Sequence, residues 1–395
     1  MRPFRIQIPE SQLIDLRQRI DKARWPTKTF ESGWARGVPV EYLRDLADYW
    51  RTRYDWRAAE KQLNEYPQFT TEIDGTTIHF LHVTSKEPGA YPVLLSHGWP
   101  GSIAEFLDII GPLTDPGAYG GNPADAVHLI IPTLPGYGFS GPVPDRGWDV
   151  RRIARAWAEL MSRLGYGSYL AAGGDWGSLV SLELARLAPE RVTGAHLSML
   201  LTAPSGDPGE LARLSPTDTA RLDDVAHFHL DLSGYLVLQS TRPQTLSYGL
   251  TDSPVGQLAW IVEKFREWNR SARTPDEFID RDQLLTNATI YWLTGTAGTS
   301  THLYYESAKY VAALFAPGAR PEPVRVPLGV AAYRLDTTPP IRAFAERDYP
   351  TIVHWSELDG VGHFATMERP EVFIDDLRAF TRSLRNVRTD RAKAA

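Results

Sequence analysis

The stretch Tyr169-Leu170-Ala171-Ala172-Gly173-Gly174-Asp175-Trp176-Gly177-Ser178 decides the fold. Its first four residues form an apolar run of strand length, and residues 178–187 have the pattern of a helix. Gly173 and Gly177 provide the small residues that a sharp strand-to-helix turn needs, because the backbone crowds itself there. The stretch therefore predicts a strand–turn–helix unit that exposes the carboxylate of Asp175 at the tip of the turn.

Similar apolar runs lie on both sides of this unit and alternate with segments of helix length. Parallel strands covered by helices on both faces have this pattern, so the sequence predicts an α/β fold with a mostly parallel central sheet. After Met199 the chain reads as mostly helical, until strand-like sequence returns at residues 324–331 and 351–355. Such an insertion between two parts of one sheet indicates a helical cap over an active site. The other predicted strands of the first part are residues 93–96 and 127–131.

The N-terminal part of the chain, up to about residue 70, is predicted to be helical and rich in aromatic side chains. A helix over residues 42–56 places Leu43, Leu46 and Trp50 on one face, and such a stripe needs a larger body to pack on. We therefore expect an N-terminal helical extension. The predicted domains are residues 1–90 (extension and first strands), 91–204 (first part of the core), 205–317 (helical cap) and 318–395 (second part of the core).

Composition excludes several classes of function. The 395 residues include 42 Lys and Arg against 48 Asp and Glu, a net charge of −6, which argues against a nucleic-acid surface. Cysteine is absent, so disulfides, thiolate metal sites and a cysteine nucleophile are excluded. No stretch resembles a signal peptide or a bilayer-spanning helix. We expect a cytoplasmic protein without a membrane anchor, a metal ion or a cofactor.

Two motifs can carry chemistry. A carboxylate at the tip of the turn can attack carbon directly and form an alkyl ester, without a base to activate it. The alternative is that Asp175 only caps the following helix.

The second motif, His97-Gly98-Trp99-Pro100-Gly101-Ser102, follows a predicted strand at the place where this kind of sheet builds an oxyanion hole. Its expected donors are the backbone N–H groups of Trp99 and Trp176, although an ordinary Gly-Pro turn would also fit.

A histidine near the end of the chain completes the constellation. His363 follows the last predicted strand, where a general base is expected. Asp336 ends the preceding strand and is the preferred partner for the imidazole, because an orienting carboxylate normally reaches it from the neighbouring strand end. Asp359 and Glu357, close to His363 in sequence, are the alternatives.

These motifs resemble those of microsomal-type epoxide hydrolases, a family of the α/β-hydrolase superfamily. The resemblance covers nearly the whole chain and includes the two motifs at 97–102 and 173–178. Further matching segments are Arg24-Trp25-Pro26, Tyr54-Asp55-Trp56-Arg57, Asp252-Ser253-Pro254-Val255-Gly256 and Leu285-Thr286-Asn287. The missing membrane anchor is a departure from the microsomal members, and so is Asp336, because mammalian members tend to have Glu there.

The resemblance implies a hydrophobic epoxide and water as substrates. It also implies Asp175 as nucleophile, His363 as base, Asp336 as acid and two cap tyrosines as donors to the epoxide oxygen. Sequence pattern alone does not choose among the tyrosines of the insertion; the family motif favours Tyr235 and Tyr305, with the adjacent Tyr304 as the alternative. The residues expected to bind the substrate are His97, Trp99, Trp176 and Tyr304. The tyrosine candidates in the insertion are Tyr235, Tyr248, Tyr291, Tyr304, Tyr305 and Tyr310.

Two other functions fit parts of the pattern. A haloalkane dehalogenase also uses an Asp nucleophile, but it would need halide-binding N–H donors in place of paired tyrosines. A catalytically silent binding module is the second alternative, although every expected catalytic position carries a competent residue.

The excess of Arg over Lys fits a high-GC bacterial source and, with it, a bulky natural-product epoxide from secondary metabolism. The sequence does not fix the oligomeric state and is compatible with a homodimer.

Overall fold

A nine-stranded sheet forms the centre of the computed structural model, which describes residues 1–27, 33–316, 318 and 320–394. The strand order is β1-β2-β3-β5-β4-β6-β7-β8-β9, antiparallel from β1 to β5 and parallel from β5 to β9. The strands are β1 Arg2–Phe4, β2 Gln68–Ile73, β3 Thr76–Val83, β4 Tyr91–Ser96, β5 Val127–Pro132, β6 Tyr169–Gly173, β7 Val192–Leu197, β8 Leu328–Tyr333 and β9 Ile352–Leu358.

Helices cover the sheet and fill the insertion between β7 and β8. Every residue of β6 and β8 is buried, as expected for parallel strands with helices on both faces. The helices are α1 Glu10–Asp21, α2 Val40–Thr52, α3 Trp56–Leu63, α4 Leu107–Thr114, α5 Val150–Arg163, α6 Trp176–Leu187, α7 Pro208–Leu211, α8 Pro216–His227, α9 Gly234–Thr241, α10 Pro243–Asp252, α11 Pro254–Glu267, α12 Arg281–Thr294, α13 Thr296–Ser300, α14 His302–Leu314, α15 Arg342–Asp348, α16 Ala365–Glu368 and α17 Pro370–Ala394. Of the helices that the structure describes, none is both long enough and apolar enough to span a bilayer.

The N-terminal helices pack on the inserted helices as well as on each other. Trp50 donates its indole N–H to the Thr289 hydroxyl of α12 at 2.8 Å. The prediction of one helix over residues 42–56 is wrong: α2 ends at Thr52 and α3 begins at Trp56. The break occurs because Asp55 caps α3, with its carboxylate accepting from Arg57 N at 2.8 Å.

The inserted helices α7 to α14 lie over the carboxyl ends of the central strands and contact the loop after β4. Asn287 Nδ2 donates to Pro100 O, and the Tyr291 hydroxyl donates to Gly101 O, both at 2.7 Å. These two side chains are one turn apart on α12, so a single helix face holds the loop. The predicted end of this insertion, residue 317, lies outside the described residues.

The turn between β6 and α6 is strained and crowded. Asp175 has φ 50° and ψ −128°, a conformation that non-glycine residues rarely adopt. A Cβ at Gly177 would overlap the carbonyl oxygen of Ser96, and one at Gly173 would lie 2.5 Å from the carbonyl carbon of Gly177. Neither position has room for a side chain, because other backbone atoms approach it too closely, so both must be glycine. The central strands are in register here, because Ser96 on β4 and Leu197 on β7 both pair with Gly173.

Substituting Gly177→Ala is therefore expected to destabilise the protein, by roughly 3 kcal/mol, because the new methyl group meets backbone that has no rotamer to change. Gly174→Ala is the matched control in the same turn, since the nearest atom to its new Cβ would be Ser198 Cβ at 3.8 Å. Urea unfolding followed by circular dichroism measures both variants. Equal stability of the two variants would contradict this account of the turn.

Candidate active site

Asp175 lies at the carboxyl end of the central strand with its carboxylate held by backbone donors. Trp99 N donates to Asp175 Oδ1 at 2.8 Å, and the backbone N–H of Trp176, the next residue, lies close enough to lower the pKa of the same carboxyl group. Gly98 allows the loop after β4 to come this close, because a Cβ there would overlap the Asp175 carboxylate. Two N–H groups thus converge on one carboxylate, which is the arrangement of an oxyanion hole.

His363 lies between two carboxylates. Its Nε2 is 3.6 Å from Asp175 Oδ2, and its Nδ1 is 3.1 Å from Asp336 Oδ2. Asp336 is 3% exposed and lies just after β8. The alternatives lie elsewhere: the Asp359 side chain is 87% exposed, and Glu357 pairs with Arg221. The geometry therefore favours Asp336 as the group that orients the imidazole.

The charges of Asp175, His363 and Asp336 influence one another. Burial raises the pKa of Asp175, while the nearby His363 and the two N–H donors oppose the rise. For His363, burial disfavours the charged form, but the carboxylates of Asp336 and Asp175 outweigh it and raise its pKa to about 9. Such a pair favours an imidazolium beside a carboxylate at neutral pH.

Glu368, which no sequence motif singled out, holds the loop that carries His363. The buried carboxylate accepts from Gly362 N at 2.6 Å and Phe364 N at 3.2 Å, on either side of the histidine. It also accepts from Asn269 Nδ2 at 2.9 Å, just beyond α11. Burial raises the Glu368 pKa to about 7. An acidic residue five positions after His363 was the only signal in the sequence.

Glu105 is a second buried acidic residue that no sequence motif singled out. It lies in the turn after the 97–102 motif, and its carboxylate occupies the space that a side chain at Gly101 would fill. Burial raises its pKa to about 8, and the positive charge of His363 and the N–H of Gly98 oppose this rise. Burial therefore favours the protonated form of the Glu105 carboxyl group.

Two buried phenols from the inserted helices face the Asp175 carboxylate. Tyr235 stacks on Trp99, with ring centroids 5.4 Å apart and planes 8° apart. Tyr304 is 3% exposed and lies edge-on to both Tyr235 and Trp176, with centroids 5.9 and 4.7 Å away. Burial raises the pKa of each phenol well above 10, so both stay protonated at neutral pH.

The other tyrosines are placed away from this group. Tyr305, which the motif favoured, is 53% exposed and does not line the cavity, whereas Tyr304 does. Adjacent residues of a helix point about 100° apart, which is why only one of the pair enters the site. Tyr248 is 72% exposed, while Tyr291 and Tyr310 donate to Gly101 O and Glu183.

His97 also lies outside the cavity, contrary to its predicted role in substrate binding. Its imidazole is 1% exposed, accepts from Leu134 N at 3.1 Å through Nε2, and donates from Nδ1 to Gly98 O at 2.9 Å. It therefore fixes the loop that presents Trp99 N. The Trp99 side chain is likewise buried behind Tyr235, whereas Trp176 lines the cavity.

A cavity of about 900 Å³, including its open mouth, joins these groups. Asp175, His363, Tyr235 and Tyr304 meet at one place in its wall, and most of the remaining wall is apolar. Such a cavity favours a hydrophobic small molecule with one reactive polar group. The apolar lining includes Leu179, Met199, Leu200, Leu201, Val225 and Phe228.

The chain is similar to known epoxide hydrolases over almost its full length. Residues 1–106 match the family described as epoxide hydrolase N terminus, and residues 91–265 match the alpha/beta hydrolase fold. A putative epoxide hydrolase of Stigmatella aurantiaca is 45% identical, covering 97% of this chain and 85% of the relative. Epoxide hydrolase 1 of Sus scrofa is 35% identical, covering 96% and 88%.

Solved structures agree with this relationship. The juvenile hormone epoxide hydrolase of Bombyx mori matches with a TM-score of 0.89 and 33% identity, over 98% of this chain and 95% of that one. The epoxide hydrolase of Aspergillus niger matches with a TM-score of 0.85 and 31% identity, over 97% and 96%. The expected α/β-hydrolase fold with an epoxide-hydrolase N-terminal region is thereby confirmed, and the chain belongs to the microsomal-type epoxide hydrolase family.

Proposed function

We propose that this epoxide hydrolase converts a hydrophobic epoxide to a vicinal diol through a covalent ester on Asp175. The observation that carries the proposal is the meeting of Asp175, His363 and two buried phenols at one place in an apolar cavity. Two phenols opposite a carboxylate suit an epoxide oxygen better than a departing halide, because a phenol can donate its proton to the alkoxide.

In the first step the Asp175 carboxylate attacks one epoxide carbon. Trp99 N occupies Oδ1, so Oδ2 is the oxygen free to form the new C–O bond. The bond from that carbon to the ring oxygen breaks, and the oxygen carries the electron pair away as an alkoxide. Tyr235 and Tyr304 hydrogen-bond this oxygen, and one of them gives it a proton. The product is a hydroxyalkyl ester of Asp175.

In the second step water attacks the carbonyl carbon of that ester. His363 accepts the proton of the water through Nε2, and Asp336 stabilises the resulting imidazolium through Nδ1. The backbone N–H groups of Trp99 and Trp176 stabilise the tetrahedral oxyanion. The bond to the alkyl oxygen then breaks, and this oxygen takes the proton from His363. The Asp175 carboxyl group, which keeps the second proton of the water, loses it to solvent, and the phenolate regains one from solvent. The diol leaves and Asp175 is restored.

The apolar lining supports a bulky hydrophobic epoxide as substrate, such as a natural-product intermediate of secondary metabolism. Steady-state kcat/KM on styrene oxide and on a larger lipophilic epoxide measures this preference. We expect the larger epoxide to be the better substrate, and turnover of simple aryl epoxides alone would contradict it. A homodimer, a cytoplasmic location and a bacterial source stay predictions of the sequence.

Trapping the ester tests the proposed nucleophile. In the His363→Gln variant the ester forms but is not hydrolysed, so intact-protein mass spectrometry should show an increase equal to the mass of the epoxide, mapped to Asp175. The Asp175→Asn variant should show none, because an amide does not attack the ring. An adduct on another residue, or none in His363→Gln, would show that the nucleophile is misassigned.

The tyrosine assignment is tested by a pair of adjacent substitutions. Tyr304→Phe should slow ester formation by about tenfold to a hundredfold, since one of two donors to the epoxide oxygen is lost. Tyr305→Phe is the matched control, and its rate should stay within about twofold of the unchanged protein. Rapid-quench measurement of ester formation in the His363→Gln background compares them, and the reverse order of effects would return the role to Tyr305.

The raised pKa of His363 predicts how ester hydrolysis depends on pH. The base acts in its neutral form, so breakdown of the ester should accelerate as pH rises from about 6. The midpoint should lie below the pKa of about 9 of the free protein, because Asp175 loses its charge in the ester. Single-turnover rates across pH measure the midpoint. Asp336→Asn should lower both the midpoint and the limiting rate; hydrolysis that slows as pH rises would contradict the assignment.

A further inference from the structure

A buried ammonium group lies against the ring of Tyr235. Lys264 on α11 is 2% exposed, and its Nζ lies 4.7 Å from the centroid of the Tyr235 ring. Of the described residues, Lys264 alone places a cation over this ring. Trp99 stacks on the same ring with nearly parallel planes. The Tyr235 ring is thus held by Trp99 and Lys264, neither of which lines the cavity.

Two carboxylates of the same helix hold the ammonium in place. Lys264 Nζ is 2.8 Å from Glu263 Oε2 and 2.9 Å from Glu267 Oε2. Burying a lysine is costly unless it is paired, and a methionine of similar length would fill the space without that cost. Lys264 is paired in this way, and the pairing fixes its ammonium against the ring of a phenol that lines the cavity.

Three carboxylates act on the Tyr235 hydroxyl. Burial is the largest cause of its raised pKa, and the negative charges of Asp175, Asp336 and Glu267 act in the same direction. Each of these carboxylates disfavours a phenolate. When Tyr235 gives up a proton, negative charge spreads over its ring, and a cation above the ring stabilises that charge.

We propose that Lys264 is a positioning residue for ring opening, whose ammonium stabilises the negative charge that develops on Tyr235 as it protonates the epoxide oxygen. This inference rests on the proposed function. It assigns Lys264 an effect on ester formation and none on ester hydrolysis, because Tyr235 gives its proton in the first step only.

The test measures ester formation by rapid quench and mass spectrometry in the His363→Gln protein, with styrene oxide as the probe. Lys264→Met should slow ester formation by about tenfold, and Lys264→Arg, which keeps the charge, should recover most of the rate. Lys309→Met is the control, since it removes an exposed lysine from α14 and should change nothing. Single-turnover hydrolysis of the ester in the protein with His363 intact should be unaffected by Lys264→Met.

A double-mutant cycle separates this role from a structural one. In a Tyr235→Phe background, Lys264→Met should change the rate of ester formation by less than about twofold, because no proton is given by residue 235. If Lys264→Met does not fold, the double variant Lys264→Met, Glu267→Gln replaces both members of the buried ion pair. Its rate of ester formation is then compared with and without the Tyr235 hydroxyl. An equal slowing with and without the Tyr235 hydroxyl, or no slowing in a folded variant, overturns the inference. Failure of the proposed function itself looks different, since the His363→Gln parent would then form no ester.

Discussion

The strained turn at Asp175 is the constraint on which the site depends. Its left-handed backbone conformation lifts the carboxylate out of the sheet, and the close approach of Ser96 O to Gly177 leaves room for no side chain there. The same crowding brings Gly98 against the carboxylate, so that Trp99 N can donate to it. Strain of this kind persists only where the surroundings enforce it, and here the register of three parallel strands does so.

The inserted helices do more than cover the cavity. Asn287 and Tyr291 bind the loop that carries Trp99 N, while Trp268 O accepts from His363 N at 2.9 Å. Asn269 donates to Glu368, which in turn holds the backbone on both sides of His363. The same helical segment therefore supplies the phenols and fixes the two loops opposite them. The inserted helices therefore place the two phenols and the two loops opposite them in one connected arrangement.

Much of this could be predicted from sequence because it follows from local patterns. Alternating apolar runs and helices indicated the sheet, and the glycines around Asp175 indicated the turn. The choice between Tyr304 and Tyr305 could not be made, because it depends on the rotational phase of α14 against the core. His97 was misplaced since a buried loop histidine and a substrate-binding one look alike in sequence. Glu105, Glu368 and Lys264 escaped notice because burial of a charge becomes visible only when distant helices are brought together. The domain boundaries and the catalytic roles stay predictions.

Covalent catalysis by Asp175 is the central claim, and isotope transfer in a single turnover tests it most directly. Excess enzyme is mixed with the epoxide in water enriched in oxygen-18, and both the diol and the Asp175 peptide are analysed by mass spectrometry. If the ester forms and water attacks its carbonyl carbon, the first diol carries unlabelled oxygen from Asp175 and the label enters the carboxylate. Label in the first diol, with none in Asp175, would show that water attacks the epoxide directly and would contradict the account.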